Sequence, residues 1–212
     1  LSRVNNAANN HSTALILFAK EPIPGKVKTR LIAALGEQGA CDLYEKMLQL
    51  QIKRFHDFPQ GDFSLHITPD KNSPYCNKLK QDYQLDIHQQ EDGDLGLRMF
   101  LAISKALKKY HQVILFGADC PFIDEQVMQQ AIDSLASKPL VFVPAVDGGY
   151  MLIGARQIDK SIFENIAWST AAVMQQTRAQ IKQLDWSFQE LQPLADIDRA
   201  EDLKLLNHFD FN

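Results

Sequence analysis

The sequence predicts a single α/β sandwich, a mainly parallel sheet with helices on both faces, and three observations support it. Short apolar runs, too brief for helices, alternate with stretches whose apolar residues recur every three or four positions. Strands separated by roughly ten to fifteen residues of helical pattern form β-α-β units, whose crossovers build a parallel sheet covered by helices on both faces. Finally, 212 residues make one generous domain at roughly 150 residues each, and no repeat, low-complexity linker or long charge block marks a second.

The polar, Asn-rich start through residue 12 lacks the charged-then-apolar order of a secretory signal. It reads as a flexible lead-in to a domain over residues 13–212. Ala14 to Ala19 is then a buried strand, bounded by the breakers Pro22, Pro24 and Gly25. Ala40, Leu43, Tyr44, Met47, Leu48 and Ile52 form one apolar helix face. Phe63 to Ile67 and Leu85 to His88 read as strands around a short helix near Lys78. A helix through Phe100, Ile103, Ala106 and Leu107 precedes the strand Val113 to Gly117. Val127, Ala131, Ile132 and Leu135 mark another helix, followed by strands at Leu140 to Pro144 and Tyr150 to Gly154. A helix from about Thr170 to Leu184, a weak strand at Trp186 to Leu191 and a closing helix at about Arg199 to Phe209 complete the pattern.

With 22 Lys and Arg against 26 Asp and Glu, the chain lacks the strongly basic face of a dedicated nucleic-acid binder. Its apolar runs fall far short of the roughly 20 residues needed to span a bilayer. Cys41, Cys76 and Cys120 show no C-x-x-C spacing, so reduced thiols and a cytoplasmic location are expected, with neither disulfides nor a zinc knuckle. The six histidines share no motif, and no Ser/His/Asp set is apparent.

In open α/β sheets, ligands bind beyond the carboxyl ends of the strands. The first strand exits into Lys20 to Leu31, where Lys20, Lys26, Lys28 and Arg30 share a loop stiffened by two prolines and made bendable by Gly25. Such a loop can surround a polyphosphate with charge and N–H donors; the alternative is a solvated basic connection. It is not a Walker A loop, because Lys20 occupies the position of that motif's first glycine. Asp119 follows the strand ending at Gly117, where a hard cation bridging phosphate oxygens would sit, unless it caps a turn. Asp124 is the better N-cap for the next helix. Asp196 and Asp198 flank Ile197; in extended chain both carboxylates face one side and Ile197 the core, while Asp198 with Glu201 also reads as a capping box. Asp147 to Tyr150, Gln90 to Arg98 and Trp168 to Thr170 each read as ordinary turns or helix entries when taken singly.

Taken together and in order, FAKEPIPGKVKTRL, the GDLG of Gly93 to Gly96 with Arg98, GADCP at Gly117 to Pro121, DGGY at Asp147 to Tyr150, WST at Trp168 to Thr170 and DIDRAEDL at Asp196 to Leu203 resemble a known family. It is the bacterial family of small GT-A-type proteins labelled glycosyltransferases and linked to arsenosugar biosynthesis. Its wider superfamily holds the molybdenum-cofactor and phospholactate guanylyltransferases and the nucleotide-sugar pyrophosphorylases. The resemblance runs from Ala14 to about Leu206. It departs at Arg199-Ala200, where the family has Thr-Pro, and at Leu97, where it has Glu.

The resemblance implies a nucleotide-diphospho-sugar transferase fold of the GT-A, Rossmann-like kind: a single α/β/α sandwich with a mostly parallel mixed sheet. It implies nucleotide contacts at Ala19, Lys20, Gly25, Lys28, Arg30, Gly93, Asp94 and Gly96, and acceptor contacts at Asp147, Gly148, Gly149, Tyr150, Trp168, Ser169 and Thr170. It implies Mg²⁺ or Mn²⁺ held by Asp119, Asp196 and Asp198, with Asp119 and Lys28 catalytic. The expected partners are a nucleotide donor and a small-molecule acceptor, with no nucleic acid or membrane. Transfer from a nucleotide donor releases an anionic phosphate, and metal ions with nearby Lys28 and Arg30 would stabilise the developing charge. Three activities are compatible: glycosyl transfer from a nucleoside diphosphate sugar, which leads; nucleotidyl transfer to a phosphorylated acceptor; and nucleotide binding without catalysis.

Overall fold

The computed structural model describes residues 12–209; the expected lead-in lies, apart from Ser12, outside them. The strands β1 (Thr13–Lys20), β2 (Asp62–Thr68), β3 (Asp86–Gln89), β4 (Gln112–Gly117), β5 (Leu140–Pro144), β6 (Tyr150–Ala155) and β7 (Phe188–Glu190) form one sheet in the order β3-β2-β1-β4-β6-β5-β7. β6 runs antiparallel to β4 and β5, and the other pairings are parallel. The helices are α1 (Ile32–Phe55), α2 (Pro74–Tyr83), α3 (Leu95–Ala106), α4 (Glu125–Leu135) and α5 (Val173–Gln183). No helix among the described residues is long and apolar enough to cross a membrane.

Successive side chains of a strand point to opposite faces, so the continuous apolar run of β1 feeds two cores. Leu15, Leu17 and Ala19 pack with Leu48, Ile52 and Phe55 of α1, while Ala14, Ile16 and Phe18 pack with Met99 and Ile103 of α3 and Ile181 of α5. Phe55 stands edge-on to Phe116 at 5.2 Å between ring centres. Each fully buried side chain of this size stabilises by roughly 1.5–3 kcal/mol.

The expected elements are present, with local differences that have physical reasons. α1 begins at Ile32, well before its apolar face, and is broken at Gly36 (φ 72°). α5 starts at Val173 rather than Thr170, because the Thr170 hydroxyl donates to the Ala167 carbonyl at 2.7 Å and closes a turn first. The closing segment Ala200–His208 is a 3₁₀ helix; Leu203 and Leu206, three residues apart, line up on one side of such a helix and meet the core. Asp124 caps α4, accepting from the Val127 N–H at 2.8 Å. Because β1 and β4 are neighbours whose following connections depart to opposite sides, a crevice opens at their carboxyl ends.

On β2, His66 stacks on Phe18 at 5.7 Å and lies 4.8 Å from the ring of His88. Burial, helped by His88 and Lys105 and partly opposed by Asp86, lowers its pKa to about 3. The unfolded chain therefore takes up a proton near pH 6.5 that the folded chain refuses, so stability falls as pH drops from 6.5 toward 3. We expect His66→Phe to lessen this acid sensitivity, gaining roughly 1–2 kcal/mol relative to wild type at pH 5 compared with pH 7. Denaturant melts at the two pH values check it; an equal difference at both would refute it.

Candidate functional site

The crevice is a cleft of about 590 Å³ whose walls include Lys20, Lys28, Arg30, Asp119, Arg98 and Asp198. Lys28 lines the cleft in a left-handed backbone conformation (φ 45°, ψ 44°), which costs a residue with a Cβ on the order of 1–3 kcal/mol. That turn drives the side chain inward. Its ammonium lies 3.1 Å from Asp119 Oδ2 and 3.8 Å from Asp198 Oδ1, with only 3% of the side chain exposed. Among the described residues the buried Nζ makes no well-aligned hydrogen bond; the contacts to the two carboxylates are ion pairs by distance alone. Arg30 Nη1 pairs with Asp198 Oδ2, which raises the Arg30 pKa.

Buried polar groups hold the three loops that meet here. The Tyr44 hydroxyl accepts from the Lys20 N–H at 2.8 Å, fixing the exit of β1. Gln51 Nε2 donates to the Cys120 carbonyl at 2.6 Å, and Arg54 Nη1 donates to the Pro121 carbonyl at 2.9 Å, fixing the loop after β4. The Cys120 thiol donates to the Ala195 carbonyl at 3.4 Å, joining that loop to the segment bearing Asp196 and Asp198. Burial pushes its pKa up to about 12, so it is a neutral tether. Ile197 is fully buried. The capping-box reading shifts by one residue: Asp202, and not Glu201, accepts from the N–H groups of Asp198 and Arg199, leaving the Asp198 carboxylate for Lys28 and Arg30.

The predicted site residues fall into distinct places. Ala19, Lys20, Lys28, Arg30, Asp119, Asp198, Tyr150 and Ser169 all line the cleft. Gly25 (φ 74°) bends the basic loop. Asp196 is half-buried beside Asp147, and desolvation first, then the Asp147 charge, raises its pKa. Among the described residues no group of three or more His, Cys, Asp or Glu is disposed to hold a metal ion; Asp119 and Asp198 come together across Lys28. Asp94 caps α3, accepting from the Leu97 N–H at 2.8 Å, and Gly93 (φ 122°) makes the turn before it.

Two glycines join motifs far apart in sequence. A Cβ on Gly96 would stand 2.6 Å from Trp168 Cζ2, so this glycine is the floor for the indole. A Cβ on Gly148 would stand 2.2 Å from the Ala171 carbonyl oxygen, whereas Gly148's own carbonyl accepts from the Met174 N–H at 2.8 Å. The DGGY turn is thereby pinned to the segment after WST. Gly149 has ordinary room around it. Tyr150 stands edge-on to Trp168 at 6.4 Å, and burial raises its phenol pKa far out of reach. Sequence reasoning missed Tyr44, Gln51 and Arg54 as supports of the site. Tyr44 lies on the apolar stripe of a helix and reads as core, and nothing local marks the other two.

An open, mostly parallel sheet with a cationic cleft at its strand-order reversal belongs to the nucleotide-diphospho-sugar transferase and cytidylyltransferase class of folds. The chain belongs to the bacterial family described as "Uncharacterized protein conserved in bacteria (DUF2064)", whose model matches residues 51–170. It is 30% identical to a "putative nucleotide-diphospho-sugar transferase" from Desulfovibrio desulfuricans G20, with a TM-score of 0.86 over 93% of this chain and 87% of that one. The 4-diphosphocytidyl-2C-methyl-D-erythritol synthase of Anaerococcus prevotii DSM 20548 superposes with a TM-score of 0.62 at 11% identity, over 93% and 97% of the two chains. A cytidylyltransferase from Leptospira borgpetersenii gives 0.56 at 14% identity over 92% and 85%. At such identities the last two speak to the fold alone. No curated protein matches the chain.

The Gly96 contact is open to test. Gly96→Ala should displace the indole of Trp168 and destabilise by about 1–3 kcal/mol, as overpacking does, with a shift in tryptophan emission. An unchanged spectrum and melt would show that the indole does not rest there.

Proposed function

We propose that the cleft binds the phosphates of a nucleotide donor and that the protein transfers a glycosyl group from a nucleoside diphosphate sugar to a small-molecule acceptor. One observation carries the reading: a buried ammonium with unspent donors, held by a strained backbone at the mouth of the β1–β4 crevice. A buried charge without aligned partners is costly, and phosphate oxygens would satisfy it. The 30% identical relative described as a nucleotide-diphospho-sugar transferase favours a sugar donor.

In this reading Lys28 and Arg30 bind the diphosphate and stabilise the charge that grows on it as the bond from the sugar's anomeric carbon to the leaving phosphate oxygen breaks. The acceptor oxygen forms the new bond to that carbon, and its hydroxyl proton passes to water in the cleft. Tyr150 and Ser169, which also line the cleft, would face the acceptor. Asp147 and the Trp168 turn support that wall. Asp119 and Asp198, already sharing one cation in the Lys28 ammonium, fit a Mg²⁺ or Mn²⁺ bound through one or two carboxylates plus substrate phosphates. Such an ion would add charge neutralisation at the diphosphate.

A panel of nucleoside triphosphates and nucleoside diphosphate sugars, with Mg²⁺ or Mn²⁺, tests this by thermal shift and product mass. Release of a nucleoside diphosphate from a sugar donor supports the proposal. Pyrophosphate release from a triphosphate with a phosphorylated acceptor would replace it with nucleotidyl transfer, and no shift with any nucleotide would overturn both. Lys28→Ala and Arg30→Ala should each weaken nucleotide binding about ten- to a hundredfold, the worth of a charge-assisted hydrogen bond. Asp119→Asn should remove any stabilisation that Mn²⁺ adds in the presence of nucleotide, read by thermal shift.

A further inference from the structure

At the end of the cleft formed by β1, β3 and α3, the side chains differ in kind from those around Lys28. Gln90, 8% exposed, donates both amide hydrogens to backbone carbonyls, Ala19 at 2.9 Å and His66 at 2.8 Å. Its oxygen accepts from Arg98 Nη1 at 2.9 Å. Arg98 Nε also donates to the Asp94 carbonyl, at 3.3 Å. The guanidinium is thus held by neutral acceptors, and among the described residues no carboxylate pairs with it. Two of its five N–H donors are spent; it lines the cleft with the rest available, flanked by Phe18, Leu95 and Met99. Leu95 is one of the few large apolar side chains left exposed, at 38%.

An apolar slot edged by a fixed, donor-only group suits a flat heterocycle that presents acceptors. Arginine reads such an edge best when two acceptors lie side by side. We propose that Arg98, oriented by Gln90, reads the nucleobase of the donor and selects bases that present two neighbouring acceptors on one edge, guanine (O6 and N7) or cytosine (O2 and N3), in preference to adenine and uracil, whose amino or ring N–H beside the acceptor would oppose its donors. The proposal rests on the nucleotide-donor reading of the same cleft and names its base class. Arg98 touches the base, whereas Gln90 is a positioning residue acting through it. The buried amide has no free hydrogen with which to read a base itself.

Calorimetric titrations of the full chain with pyrophosphate, GDP, UDP, ADP and CDP, all with Mg²⁺, test it. Wild type should bind GDP or CDP at least tenfold more tightly than both ADP and UDP. Arg98→Met should compress that preference to within about threefold and leave pyrophosphate affinity unchanged. Gln90→Met should do the same even if its melting temperature falls, a pattern that simple loosening of the fold would not give. Arg98→Lys, which keeps the charge but loses the fork, should retain only part of the preference. Equal affinity of wild type for all four nucleotides, or an Arg98→Met protein with base preference intact, would overturn the assignment. So would a loss of pyrophosphate affinity matching the loss for nucleotides, since Arg98 would then be a phosphate contact. Failure of every diphosphate and of pyrophosphate to bind would overturn the donor reading itself, and the base assignment with it.

Discussion

The Lys28 ammonium, placed between Asp119 and Asp198, ties together the three chain segments that make the cleft. Lys28 leaves β1, Asp119 leaves β4, and Asp198 arrives from the far edge of the sheet after β7. Two carboxylates brought together at the rim of a cleft repel each other, and a cation between them offsets that repulsion. The left-handed turn at Lys28 is the backbone condition for this arrangement, because it sends the side chain inward when its neighbours Lys26, Thr29 and Arg30 are exposed. A phosphate entering the cleft would meet an ammonium already dehydrated and positioned, which is the sense in which a site is organised before its ligand arrives.

Rigidity around that ion pair comes from polar groups spent on backbone. Gln51 and Arg54 reach from α1 to the loop after β4, Tyr44 from the same helix to the end of β1, and Cys120 to the carbonyl of Ala195. α1 is therefore a brace for two of the three loops, as well as the main cover of one sheet face. On the other wall, the glycine contacts of Gly96 with Trp168 and of Gly148 with Ala171 bind the β5–β6 turn and the segment before α5 to the start of α3. The two walls are built differently. One is charged and hydrogen-bonded, and the other is aromatic and closely packed.

Much of this was legible in the sequence, because strand and helix periodicity depends on local burial. The run Ala14 to Ala19 could only be a strand buried on both faces, and Asp124 only a cap once Val127 opened an apolar face. The basic loop and Asp119 drew attention by lying directly after strands, a position that fold class alone makes meaningful. Ile197 between two carboxylates predicted its own burial. Other residues were misjudged where one side chain had two possible employers. Asp198 with Glu201 also read as a capping box, but the box falls one residue later, between Arg199 and Asp202. Thr170 read as the start of α5, whereas its hydroxyl closes the turn before that helix and accepts from the Ala172 N–H.

By itself the sequence determined the α/β/α class, the order of strands and helices, and the collection of cations and carboxylates at strand exits, since each depends on neighbours within a few positions. Tertiary structure alone decided which carboxylates share a cation, that Asp196 sides with Asp147 while Asp119 and Asp198 close on Lys28, and that Gly96 exists to seat an indole 72 residues away. It also decided that Gln90 spends its whole amide on two strands and one arginine. The reason is range: an ion pair or a hydrogen bond is set within about 3–4 Å, and which groups come that close depends on how a twisted sheet folds distant loops onto one edge.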